Sequence, residues 1–283
     1  MKAMRIVPRA ACINDLSGYG RCSLSTVIPV LSVMGVQPCA VPTALLSKHT
    51  GFDDYRFVDF TPHLNDFLVN LRDIEFETVY TGFLGSEEQI RTVASFIDEH
   101  KKASVLVDPV MGDNGQLYST YNDKMAEGMK HLAACADVIT PNVTEACILT
   151  GMAYKGEEIS DSQTRELALR LHALGAGSIV ITGIKRGNSM LNFTYDGGEI
   201  SVDEIHRVAG TFSGTGDIFA AVICACLARK IELGKAVGLA GDFISEAVRM
   251  TCAVNTPSGE GVLFEPFLSE LGRRAIEITE RGK

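Results

Sequence analysis

Short apolar runs alternate with helix-length amphipathic stretches along almost all of this 283-residue chain. A short apolar segment of three to eight residues with no room for a polar face reads as a strand covered on both sides. Such runs stand at 6–13, 36–41, 78–81, 104–107, 138–140 and 178–182. Between them, 3.6-residue periodicity predicts helices over 23–34, 86–102, 125–134, 144–150 and 161–174. Hairpin-like segments follow at 190–195 and 199–206, then two more helices over 215–228 and 235–254. Strands that alternate with helices of this length cannot pair as hairpins. They predict an α/β fold with a mostly parallel central sheet and helices on both faces. No linker composition and no repeat interrupts the pattern, which predicts one domain over 1–283. The segment 42–61 fits the rhythm poorly and reads as a small flap over the site.

In an open parallel sheet, ligands lie beyond the carboxyl ends of the strands, so polar residues there carry the functional signal. After the first strand comes Asn14-Asp15-Leu16-Ser17-Gly18-Tyr19-Gly20. It contains Gly-x-Gly without the rest of a dinucleotide fingerprint. Asp15 can either hydrogen-bond a polar substrate or cap the next turn. Ser47-Lys48-His49-Thr50-Gly51 concentrates polar groups beside a glycine. Asp108-Pro109-Val110-Met111-Gly112-Asp113 places two carboxylates across a Pro-to-Gly turn. Both can face one cavity, and oxygen ligands suit a hard cation such as Mg²⁺; the plain alternative is a turn with solvated acids. Thr140-Pro141-Asn142-Val143-Thr144-Glu145 opens a helix. Asn142 and Glu145 have the spacing of a capping box, yet they would also point at the ligand crevice. Residues 151–157 have the glycine spacing of a P-loop, but Glu157 replaces the lysine, which rules out a Walker-type site.

The strongest signal is 209–217, Ala-Gly-Thr-Phe-Ser-Gly-Thr-Gly-Asp, running into an apolar small-residue helix. Glycines at the mouth of a helix let several N–H groups converge, and the helix dipole makes the place attractive to an anion such as a phosphate. Asp217 then needs explaining, because a carboxylate facing an anion site is repulsive. Either it takes a proton from a hydroxyl attacking phosphorus, or it is a helix cap.

The formal net charge of −9 argues against nucleic acid or an anionic membrane as the main partner. An anionic ligand would therefore be held by local devices: helix N-termini and a metal ion. None of the eight cysteines, at 12, 22, 39, 135, 147, 224, 226 and 252, forms a Cys-x-x-Cys pair. They read as reduced core thiols of a cytoplasmic protein rather than zinc ligands. The first residues lack the apolar core of a secretory leader, and the longest apolar run, 218–228, is far short of the ~20 residues of a membrane helix.

The succession Asp108-Pro-Val-Met-Gly-Asp113, Thr140-Pro-Asn-Val-Thr-Glu145 and Gly214-Thr-Gly-Asp217 resembles the ribokinase-like superfamily. Leu46-Ser47-Lys48-His49-Thr50 and Thr81-Gly82-Phe83-Leu84-Gly85-Ser86 narrow the resemblance to its pyridoxal/pyridoxamine kinase branch, over about residues 10–255. That resemblance implies a transferase that moves the γ-phosphoryl of ATP to the 5′-hydroxymethyl of pyridoxal, pyridoxine or pyridoxamine. Asp217 would be the base. The amides of Gly214, Thr215 and Gly216 would form the anion hole. Asp108, Asp113 and Glu145 would arrange Mg²⁺, with Thr140, Asn142 and Thr182 near the nucleotide. Asp15, Ser47, His49, Thr50 and Phe83 would line the vitamer pocket. The branch also implies K⁺ and a homodimer.

Two departures touch the substrate. The serine that often follows the first strand is replaced by the Asn14-Asp15 region, and the usual Tyr of Gly-Tyr-Leu-Gly is Phe83. Asp15 is also reminiscent of hydroxymethylpyrimidine kinases. Those often carry Cys where Asp217 stands and Gly-Ile-Gln where this chain has Arg21-Cys22-Ser23, and both differences favour the pyridoxal branch. The nearest alternative is hydroxymethylpyrimidine (phosphate) kinase. Sugar kinases often show an early Gly-Gly-Asn segment that is missing here. A non-catalytic vitamer carrier on the same scaffold is the alternative from another class.

Overall fold

The computed structural model describes residues 7–206 and 212–281. Ile6 of the first expected strand and Ala209, Gly210 and Thr211 of the glycine loop lie outside the described residues.

Six parallel strands form the centre of the sheet. They are β1 (Arg9–Ser17), β2 (Gln37–Leu46), β4 (Thr78–Thr81), β5 (Ser104–Val107), β8 (Val138–Ile139) and β9 (Ser178–Arg186). Antiparallel strands finish both edges: β3 (Phe57–Asp59) on β2, and β10 (Ser189–Asp196) with β11 (Glu199–His206) on β9. The nine-stranded order is β11-β10-β9-β8-β5-β4-β1-β2-β3, and β6 (Gly112–Asp113) and β7 (Gln116–Leu117) make a separate ribbon.

The two-residue period of the strands divides the apolar residues between two cores. Ala11, Ile13, Val79, Val105, Val107, Ile139 and Ile181 face one layer. That layer includes α3 (Glu87–Glu99), α4 (Asp123–Ala134), α5 (Val143–Thr150) and α6 (Asp161–Leu174). Ala10, Cys12, Tyr80, Leu106, Val138 and Val180 face the other. There lie α1 (Ser23–Val33), α7 (Thr215–Ala228), α8 (Leu233–Ala253) and α9 (Leu268–Arg281). Each large apolar side chain buried this completely stabilises the fold by about 1.5–3 kcal/mol before entropy is counted. Side chains begin several helices where the sequence places caps. Ser86 accepts from Gln89 N–H, Asn122 from Met125 N–H, and Ser160 with Gln163 forms a capping box.

The segment 42–61 differs from its expectation. Its first five residues continue β2, paired to β1 as far as Leu46, and Phe57–Asp59 is β3. Only 47–56 is loop, closed by Ser47 N–H donating to Arg56 O and Arg56 N–H donating to Ser47 Oγ. Two further helices answer to no expected element: α2 (Thr61–Val69), with a proline in its first turn, and α9. Among the described residues, no helix is long and apolar enough to cross a membrane.

Candidate active site

α7 begins without a side-chain cap. Gly214 precedes it in the left-handed region (φ +81°), and a Cβ there would lie 1.8 Å from the Arg21 carbonyl oxygen. Both facts require glycine. Gly216 is different. Among the described residues, a Cβ at Gly216 would meet nothing within 4 Å beyond its own helix backbone and chain neighbours, although the residue lines a cavity of about 510 Å³. Protein packing does not demand glycine there, whereas a ligand pressed against the backbone would. Among the described residues, no side-chain cap is made at the start of α7, and Gly214, Thr215 and Gly216 line the cavity, as an anion site needs.

Asp217 is the third residue of this helix and does not cap it; Gly214 holds the cap position. Its part-buried carboxylate instead reaches towards β1 and α1. It accepts from Asn14 Nδ2 (3.1 Å) and from the backbone N–H of Ser23, the first residue of α1. Burial raises its pKa to about 6, with help from the charge of Asp15 and against those two donors. Ser23 itself has φ +50°, an uncommon conformation for a non-glycine residue, and its hydroxyl donates to Asp15 Oδ1 (2.6 Å).

Two more buried carboxylates line the same cavity. Asp108, 6% exposed just beyond β5, accepts from Thr140 Oγ1 (3.1 Å). Burial and then the Asp217 charge hold its carboxyl well above the usual range. Glu145, 4% exposed, accepts from Asn142 N–H (2.9 Å) and Met111 N–H (3.2 Å), while its own N–H donates to Asn142 Oδ1 (2.9 Å). This is the expected capping box, and both residues also line the cavity, so the two interpretations hold together. Burial and the Asp108 charge push Glu145 upward as well. Asp113 lines the same cavity half-buried and accepts from Asn114 N–H (2.8 Å) and Asn114 Nδ2 (3.0 Å). Among the described residues, no group of three or more His, Cys, Asp or Glu is placed to hold a metal ion unaided. Asp108, Asp113 and Glu145 therefore share a cavity without forming a closed cage.

The cavity also takes in Thr140, Thr182, Gly214 and Thr215. Thr182 is not at the end of its strand, because antiparallel pairing with β10 carries β9 on to Arg186. That extension brings in Lys185, ion-paired with Glu157, which the sequence reading missed along with Asn192 and Tyr118. Asn192 left a legible signal: a polar residue, 5% exposed, inside the otherwise apolar Met190-Leu-Asn-Phe run. The rejected P-loop spacing is accounted for too, since Gly151 is the left-handed C-cap of α5.

The five residues expected around a second substrate lie outside this cavity's lining. Asp15 is buried and occupied by the hydroxyls of Ser23 and Ser17. Phe83 N–H donates to Asn14 Oδ1 (2.9 Å), and its ring centroid is 6.4 Å from that of Tyr121. His49 is a clasp. Its Nδ1 accepts from Gly51 N–H (3.0 Å), so the proton sits on Nε2, which donates to Gly259 O (2.6 Å). Ser47 closes the 47–56 loop, and Thr50 is exposed. Asp15 and Phe83 are thus gathered near Asp217 through Asn14, whereas Ser47 and His49 hold backbone.

Comparison with known proteins places this geometry. Residues 25–262 match the phosphomethylpyrimidine kinase family. The chain is 30% identical over 225 residues to a hydroxymethylpyrimidine/phosphomethylpyrimidine kinase of Aquifex aeolicus, covering 76% of this chain and 84% of that one. Pyridoxal kinase from Lactobacillus plantarum superposes with TM-score 0.88 at 30% identity, covering 96% of this chain and 99% of that one, and shares the ribokinase-like fold. A Bacteroides thetaiotaomicron protein classed as a phosphomethylpyrimidine kinase, in a crystal form with pyridoxal, superposes with TM-score 0.89 at 35% identity over 94% of this chain and 96% of that one.

Proposed function

The chain belongs to the phosphomethylpyrimidine kinase family and is a kinase of that family; from this premise we propose that it phosphorylates the 5′-hydroxymethyl group of B6 vitamers with ATP. The observation that carries the proposal is Asp217, a raised-pKa carboxylate beside the uncapped N-terminus of α7. A general base works best with a pKa near the working pH, and about 6 meets that need. In the proposed step the vitamer hydroxyl oxygen attacks the γ-phosphorus, its proton passes to Asp217, and ADP leaves. A loose phosphoryl-transfer transition state asks mainly for positioning and charge neutralisation. The amides of Gly214, Thr215 and Gly216 provide donors at a helix N-terminus for the equatorial oxygens.

The donor set fits Mg²⁺ brought by the nucleotide. Such an ion commonly uses one or two carboxylates and the substrate's phosphates, keeping several waters. Asp108, pushed up by burial and the Asp217 charge, and Glu145, pushed up by burial and the Asp108 charge, would be relieved by a cation; Asp113 is the more exposed third donor. When bound, the ion would neutralise charge on the β- and γ-phosphates. Thr140 would keep Asp108 oriented, and Asn142 would keep Glu145 oriented. K⁺ and a homodimer belong to the same proposal.

Hydroxymethylpyrimidine is the second reading, favoured by the Aquifex relative. Purified protein with MgATP and K⁺ would be given pyridoxal, pyridoxine, pyridoxamine and hydroxymethylpyrimidine in parallel, and ADP release followed. Turnover on the B6 forms that Asp217→Ala lowers by about 10²–10⁴-fold supports the proposal. Turnover on the pyrimidine alone replaces it with the second reading. Binding without turnover makes the protein a carrier.

A further inference from the structure

Asn14 is a buried amide that follows a run of four buried apolar residues and precedes the buried Asp15. Ala10, Ala11, Cys12 and Ile13 precede it in β1, and all five residues are 0% exposed. A buried amide is tolerated when its hydrogen-bonding groups are used. Asn14 uses them on three different elements. Its Oδ1 accepts from Asp15 N–H (2.9 Å) and from Phe83 N–H (2.9 Å) beyond β4. Its Nδ2 donates to Asp217 Oδ1 (3.1 Å) in α7 and to the Tyr80 hydroxyl (3.4 Å). The neighbouring backbone is shaped around it. A Cβ at Gly82 would lie 2.4 Å from Asn14 Nδ2, and Gly82 N–H donates to Ile13 O.

Strand pairing does not call for an amide here, because β1 pairs with its neighbours through backbone groups. The Asp15 and Phe83 N–H groups call for an acceptor, but not for the donor that Nδ2 turns towards Asp217. Among the described residues, the charged partner of Asn14 is the carboxylate 203 positions away in sequence. The two acceptor bonds lock the amide plane, so both N–H directions are set before Asp217 is met. We infer that Asn14 is the positioning residue for Asp217, fixing the carboxylate's rotamer and tying it to the Phe83 backbone beyond β4. The inference rests on Asp217 acting as base in the proposed kinase reaction. Misplacing a reacting group by about 1 Å can cost about 10²-fold in rate.

The test uses Asn14→Ala and Asn14→Asp in the full chain, with kinetics on whichever vitamer or pyrimidine the wild type turns over. Asn14→Asp keeps the shape and both N–H acceptors but replaces the donor to Asp217 with a second carboxyl about 3 Å away, so the backbone bonds that support the fold remain while the carboxylate loses its tether and meets a repelling neighbour. Both variants are expected to lose about 10- to 100-fold in kcat with KM for ATP unchanged. Crystal structures are expected to show the Asp217 carboxylate rotated away from its wild-type position. A kcat within about twofold of wild type in folded Asn14→Asp would overturn the inference. So would an Asp217 carboxylate that keeps its position in both variants, and this readout needs no turnover. If the wild type phosphorylates none of these substrates, the kinase proposal fails, and the crystal structures alone judge whether Asn14 positions Asp217.

Discussion

Replacing Asp217 by Asn should make the ligand-free protein more stable while disabling the proposed chemistry. The carboxyl pKa rises from 3.8 to about 6 on folding, chiefly through burial. Because the folded value is raised, the group's contribution to stability is fully present below pH 3.8 and is lost as pH rises through about 6. At 1.36 kcal/mol per pH unit, the ionised form costs the folded protein about 3 kcal/mol at pH 8. Water in the cavity beside this part-buried group screens the charge, so the expected gain for Asp217→Asn at pH 8 is about 1–2 kcal/mol. The new amide can still accept from Asn14 Nδ2 and Ser23 N–H, and removing the charge also relieves Asp108. At pH 5 much of the wild-type group is already protonated in the folded state, and the gain should fall to roughly half. Urea denaturation followed by circular dichroism at pH 8 and pH 5, on ligand-free protein, measures both numbers. A variant no more stable than wild type at pH 8 would refute the reasoning, as would a gain that does not change with pH.

Three further outcomes follow from the same geometry. For ligand-free enzyme meeting its substrates, kcat/KM should fall as pH drops through about 6, because the base must be ionised; a profile flat from pH 8 to 5 would remove Asp217 from that role. Gly216→Ala should leave stability unchanged or raise it by up to about 1 kcal/mol, since its Cβ meets nothing within 4 Å among the described residues, yet weaken ATP binding measured by calorimetry. Gly214→Ala should instead destabilise the fold, because a Cβ 1.8 Å from the Arg21 oxygen and a left-handed backbone both oppose it; thermal melting distinguishes the pair. His49→Ala should open the 47–56 loop to limited proteolysis by removing the link from Gly51 N–H to Gly259 O, and an unchanged cleavage pattern would show that the clasp is dispensable.

Much of the fold was legible because strand and helix signals are local. The runs at 78–81 and 104–107 and the helices at 161–174 and 215–228 stand where periodicity puts them. The uncapped glycine mouth of α7 and the polar residues beyond β5 and β8 also read directly, since the carboxyl ends of parallel strands must meet on one side of the sheet. α9 was legible and overlooked: Leu268, Leu271, Ala275 and Ile278 recur at helical spacing.

Other features depend on partners far away in the chain. Nothing near Pro42 says that β2 continues to Leu46, because pairing to β1 supplies that order. Nothing near Thr182 says that β9 continues to Arg186, because β10 supplies it. Sequence could offer Asp217 as base or cap, and Asn142 with Glu145 as capping box or site. Only the packing of α7 against β1 and α1 showed Asp217 turned away from capping, and only the cavity showed the capping-box residues lining it. By itself, the sequence determined which elements form and which polar residues end them, since hydrophobic period and cap chemistry act within a few residues. The tertiary structure alone decided that Asn14 meets Asp217 and that His49 spends both ring nitrogens on backbone. Those contacts exist because strand order brings distant segments together in a medium where every buried polar group must find a partner.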